Sequence, residues 1–119
     1  MAKLKSNTEI LKELRAQPGI SIPHLSPGTK VLVETVHSIF EFTVVDYEHV
    51  EVTSTDHRFH KPVVGRFIRS VYDMAGTMEF PHWIGNNLRM ELEFRNAMFR
   101  STPVVSACVI GKGYKYDVF

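Results

Sequence analysis

The stretch TDHRFHKP, residues 55–62, places Asp56, His57 and His60 within one short segment. Imidazole nitrogens and a carboxylate oxygen are donors that a zinc-like ion takes at about 2.0–2.2 Å. A metal-dependent enzyme or sensor built on Asp56, His57 and His60 is therefore one reading, with His37, His49 or His82 folded in from elsewhere. Residues three apart in a strand point to opposite faces. Pro62 and the β-rich surroundings argue against a helix, so only a tight turn brings the two imidazoles together. The plain alternative is a solvated connection between strands.

The same stretch opens a basic run, HRFHKPVVGRFIRS. Arg58, Lys61, Arg66 and Arg69 can meet phosphates, while Phe59 and Phe67 can stack on bases, as in small nucleic-acid-binding barrels. Against that stand a pI near 7.9 and the absence of any RNP, KH or zinc-finger pattern. Phe59 and Phe67 also occupy positions that a core would claim. Nucleic acid is thus an alternative partner and not the favoured one.

Other catalytic constellations are weaker. Glu34, His37 and Ser38 supply carboxylate, imidazole and hydroxyl, but closeness in sequence is not triad geometry. Glu91 and Glu93 alternate with Leu and Met, as on any solvated sheet face. GKGYK, residues 111–115, lacks Walker spacing and opens no helix. The expectation is a non-enzymatic protein with no cofactor.

The elements that would hold these residues are almost all strands. TKVLVETV and IFEFTVVDYE alternate, with Phe40, Phe42 and Val44 on one side, and His37 and Ser38 form a tight connection between them. HVEVTST continues the meander, then VVGRFIRSVY follows, with Gly65 marking a bulge or close approach. In LRMELEF, Leu88, Met90, Leu92 and Phe94 point inward and Arg89, Glu91 and Glu93 outward to solvent. MFRST and VVSACVI flank Pro103, and YKYDVF adds a terminal strand ending in Phe119 that can pair with an exposed edge, its own or a neighbour's. Nothing long enough for a parallel crossover helix intervenes. The prediction is an all-β, mainly antiparallel fold: a small barrel or two-layer sandwich of seven to eight short strands. This strand pattern resembles Sm-like and OB-like barrels in architecture only, which implies no activity.

Before the strands, SNTEILKELRAQ reads as one short helix. Ser6 and Glu9 have capping-box spacing, and Ile10, Leu11 and Leu14 share a face that must dock, because three turns do not hold alone in water. The expected organisation is a helical arm over residues 1–17, a Pro/Gly linker over 18–28 and a β domain over 29–119. With 119 residues, 44% of them hydrophobic, the chain can bury a core without a staple. Cys108, the single cysteine, reads as a small buried residue within VVSACVI. The N-terminus lacks the apolar stretch of a signal peptide, and no run approaches membrane-spanning length, so a soluble cytoplasmic protein with no membrane partner is expected.

Charge is segregated along the chain. From Val31 to His57 there are six acids and no Lys or Arg, whereas Arg58 to Tyr72 holds four bases and no acid. Either the two runs pair across the sheet, or they lie on different faces and copies stack acid against base. Trp83, the one tryptophan, sits in the connection EFPHWIGNN and either plugs the end of the core or meets a partner. Together these features favour a protein-interaction or assembly module, with self-association or a protein partner as the expectation and Ile10, Leu11, Leu14, Trp83 and Phe119 as interface candidates.

Overall fold

The computed structural model describes residues 19–72 and 78–111. They form ten strands: β1 (Gly19–Ser21), β2 (Lys30–Thr35), β3 (Ile39–Val44), β4 (His49–Ser54), β5 (Val63–Val71), β6 (Glu79–Pro81), β7 (Trp83–Gly85), β8 (Arg89–Phe94), β9 (Ala97–Arg100) and β10 (Val104–Gly111). Among the described residues the only helical turns are two of three residues each, the 3-10 turns Ile22–His24 and His57–Phe59. The helix expected near the N-terminus, with Ile10, Leu11 and Leu14, lies outside the described residues, as does Phe119.

The fold is all-β and antiparallel throughout. One sheet runs in the order β10-β2-β3-β4-β5-β8-β9, with β6 branching from β5, and β1 and β7 pair as a separate two-stranded sheet. Of the expected small barrel or two-layer sandwich, a closed barrel is excluded by this order: among the described residues no ladder joins β9 to β10, so the main sheet is open. Strand count also exceeds the expectation, because β1, β6 and β7 are three-residue strands too short to produce a visible alternation.

Alternation decides which face is buried. Val31 and Val33 of β2, Phe40, Phe42 and Val44 of β3, Val50 and Val52 of β4, Phe67 of β5 and Met90 and Leu92 of β8 all turn into one core. The core joins strands that do not touch through their backbones. Phe40 on β3 and Phe99 on β9 lie 5.8 Å apart, although β4, β5 and β8 separate them in the ladder. Phe59 bridges both, 6.1 Å from Phe40 and 5.0 Å from Phe99. The sheet must therefore curl until its inner side chains meet. Residues 19–28, read from sequence as a linker, contribute Ile20, Ile22 and Leu25 to the same core.

Turn chemistry fits the connections. Asp46 accepts from the backbone N–H groups of Glu48 (3.0 Å) and His49 (2.8 Å) and from the His49 ring, closing the β3–β4 turn. Those three donors hold its carboxyl below the usual carboxylate range. Arg95 and Asn96, both at positive φ, form the two-residue β8–β9 turn. Gly65 is needed for close approach: a Cβ there would stand 2.3 Å from Phe94 Cε1.

Trp83 is half-buried and lies against β1, where a Cβ on Gly19 would come within 2.0 Å of its Cζ2. Ser21 is its register partner, so β1 forms one wall of the indole's seat. Gly19→Ala should displace the ring, lowering stability by about 1–3 kcal/mol and shifting the emission of this sole tryptophan to the red. Unchanged emission and unchanged denaturation midpoint would contradict the packing.

Candidate functional site

The 55–62 connection is a knot of local bonds. Asp56 caps the turn His57–Phe59 by accepting from the Arg58 N–H at 3.0 Å, and the same carboxylate receives Arg58 Nε (3.0 Å) and Nη2 (2.7 Å). The bidentate guanidinium then lies 4.6 Å from the centre of the Phe99 ring. The Arg58 side-chain hydrogen bonds are the main reason the Asp56 carboxyl is held at about 2, against a usual 3.8.

The histidines of this loop do not converge. His60 Nδ1 bonds the His57 carbonyl at 2.8 Å, while the His57 ring is almost wholly exposed and 3.9 Å from Asp56. Among the described residues no group of three or more His, Cys, Asp or Glu is arranged to hold a metal ion. The carboxylate that the metal reading needs is engaged with Arg58.

The basic run is also engaged. Arg66 reaches Glu48 (3.4 Å) and Glu93 (3.1 Å), and Arg69 reaches Glu79 and Glu91, both at 3.4 Å. Lys61 is exposed. Phe59 and Phe67 are core residues, 6% and 0% exposed, which leaves neither ring a face for a base. Of the two charge arrangements open from sequence, pairing across the sheet is the one observed, with Arg66–Glu48 linking the basic run to the acidic one.

Glu91 corrects the reading of the β8 outer face as plainly solvated. It is 5% exposed, covered by Arg100 of β9, whose Nε is 2.8 Å away, and by Arg69 of β5. Its strand neighbour Glu93 remains 40% exposed at the side chain. Sequence alternation could not separate the two, because the difference comes from which arginines the ladder brings alongside: Arg69 is the register partner of Glu91 on one side and Arg100 on the other.

A hollow of about 140 Å³ adjoins Arg58, between Thr35, His37, Ser38 and Thr102. The carboxylate of the sequence trio, Glu34, does not join His37 and Ser38 there. The Ser38 N–H bonds Thr35 Oγ1 at 3.1 Å and the His37 N–H lies 3.4 Å from Thr102 Oγ1, while Glu34 is exposed on the opposite face of β2.

Exposed apolar side chains occur at several places, Tyr47, Val64 and Met98 among them, and one group lies on the outer face of β10, β2 and β3. Leu32, Ile39 and Ile110 are 38%, 44% and 50% exposed, and Cys108 is exposed as well. Cys108 is the register partner of Leu32, and Ile39 pairs with Glu34, which pairs with Ser106, so β10, β2 and β3 share one partly apolar outer face. The expectation of a buried Cys108 fails because β10 ends the sheet and this residue alternates to its solvent side. No family model, no curated protein and no solved structure matches the chain. No helix among the described residues is long and apolar enough to cross a membrane.

Three outcomes test these contacts. The stability that Asp56 contributes should be complete above pH 3.8 and fade as pH falls through about 2, because its folded-state value lies below its unfolded one. Arg58→Gln should raise the Asp56 titration midpoint toward 3.8, read by carboxyl NMR. Glu91→Gln should lower stability by about 1–3 kcal/mol, and Glu93→Gln by less than about 1 kcal/mol, both read from denaturant midpoints.

Proposed function

We propose that this protein is a non-enzymatic assembly module that pairs with a second copy of itself through the outer face of β10, β2 and β3. The supporting observation is the contrast between its charges and its apolar surface. Arg58, Arg66, Arg69 and Arg100 all have carboxylate partners, whereas Leu32, Ile39, Cys108 and Ile110 sit together on one solvent-facing side. Adjacent exposed apolar side chains with a polar rim are a feature of interaction sites.

The outward residues of β2 favour a copy of the same face as the occupant. Lys30, Leu32 and Glu34 alternate along the strand with Leu32 at the centre. A two-fold axis through Leu32 sets each Lys30 against the other copy's Glu34, so the charges complement one another while the leucines meet. Lys30 already lies 3.4 Å from Glu41 with both side chains well exposed, a contact that a new carboxylate can join or replace. This reading gives Cys108 a place beside Leu32 at the interface. It assigns no role to a metal or a nucleic acid.

Native mass spectrometry and light scattering of the untagged chain test it. A dimer is expected, and Leu32→Glu should dissociate it. Lys30→Glu should weaken it about tenfold or more, ~1.4 kcal/mol, and the double exchange Lys30→Glu with Glu34→Lys should restore it. A strictly monomeric chain at all concentrations, or a double exchange no tighter than the single one, rejects the proposal.

A further inference from the structure

The hollow beside Arg58 lies apart from the dimer face and gathers hydrogen-bond donors that the fold does not use. Three connections build its rim: the β2–β3 turn with His37 and Ser38, the 55–62 loop with Asp56 and Arg58, and the β9–β10 connection with Thr102. Arg100 lines it as well, and Phe40 and Phe99 give it an apolar wall. Its volume of about 140 Å³ is well below the roughly 300–1,000 Å³ of sites for drug-sized ligands. It therefore has room for a small molecule only.

Guanidinium geometry selects the chemistry. Arg58 gives one edge, Nε and Nη2, to Asp56. The other edge, Nη1 with the second N–H of Nη2, has no acceptor among the described residues, and a fork of that shape matches a carboxylate. Two contacts fix that edge before any ligand arrives: the Asp56 pair, and the Phe99 ring 4.6 Å from the guanidinium carbon. Donors already held in place lose little freedom on binding. Ser38 Oγ makes no hydrogen bond among the described residues, and Thr102 Oγ1, which accepts the His37 N–H at 3.4 Å, keeps its own proton to donate.

Charge discriminates between anions. Asp56 and Glu91 offset Arg58 and Arg100, so with His37 neutral the charges around the hollow sum to zero. A single negative charge suits such surroundings better than the roughly −1.5 to −2 of a phosphate group. We propose that this hollow binds a small organic carboxylate. The free fork of Arg58 holds its two oxygens, Ser38 and Thr102 donate to them, and its carbon end rests against Phe99.

Propionate titrated into the isotope-labelled full chain, with sodium chloride of equal ionic strength as control, tests the site by NMR. Propionate should shift the Arg58 Nε signal and the Ser38 and Thr102 amides along one saturable curve, and chloride should not. Inorganic phosphate should bind about tenfold more weakly or worse. Arg58→Lys keeps the charge beside Asp56 but has no fork, so it should weaken propionate binding about tenfold or more. Ser38→Ala removes a hydroxyl that no described residue bonds; it should weaken binding about threefold or more and leave the denaturation midpoint unchanged, which keeps the test open if Arg58→Lys does not fold. Leu32→Glu, outside the hollow, should bind propionate as the unaltered chain does. Absence of a saturable shift, an equal response to chloride, or phosphate binding as tight as propionate overturns the proposal. Unaltered affinity in Ser38→Ala or in folded Arg58→Lys does so too, as does a loss of affinity in Leu32→Glu, which would tie the response to self-association.

Discussion

The interior of this fold is closed by aromatic side chains where the backbone leaves it open. Among the described residues no ladder joins β9 to β10, and the backbone tie at this side is the pair of bonds from Val104 to Leu88 and Asn87. Phe40, Phe59, Phe94 and Phe99 supply the closure, each ring within 5.0–6.1 Å of at least one other. Large rings bury much apolar area and attract in tilted pairs. Phe59 reaches this cluster only because Asp56 caps the turn that carries it. The loop with the most chemistry-bearing residues in the chain is thus first a device for delivering a phenylalanine to the core, and its carboxylate and guanidinium are committed to that geometry.

The charge distribution follows from the same curl. Acidic and basic runs that are separate along the chain come alongside because β5 lies between β4 and β8. Arg66 then bridges Glu48 and Glu93, while Arg69 bridges Glu79 and Glu91. Most of these pairs are exposed and each stabilises little. Their larger effect is on what the surface can bind, since a guanidinium with a carboxylate beside it offers a phosphate much less than its formal charge suggests. Glu91 is the exception in energy, because two arginines bury it and its removal would leave both with one partner fewer.

Much of the architecture was legible from alternation. The six-residue strands β2, β3 and β8 have inward residues that could be read directly, Phe40, Phe42, Met90 and Leu92 among them, because one buried face imposes a period of two. Three-residue strands carry less than two periods, so β1, β6 and β7 had no such signal, and Gly19 and Ile20 looked like linker. Closure was misjudged because strand pattern is the same for a barrel and a curled open sheet, and only the pairing of the end strands differs. Site residues were less legible. Phe59 and Phe67 stood as stacking platforms in one reading although their positions suited a core, and Cys108 read as buried because its apolar neighbours do not reveal that β10 is an edge. The bond between Asp56 and Arg58, two positions apart, was visible as juxtaposed charge but was overshadowed by the neighbouring histidines.

The two apolar surfaces of β10 impose different demands. Its outer face presents Cys108 and Ile110 to solvent, and these can be covered by packing another sheet against them, which needs no backbone bonds. Its edge, which has no second ladder among the described residues, presents N–H and C=O groups that need water or another strand as partner. This division follows from the position of β10, which ends the main sheet among the described residues.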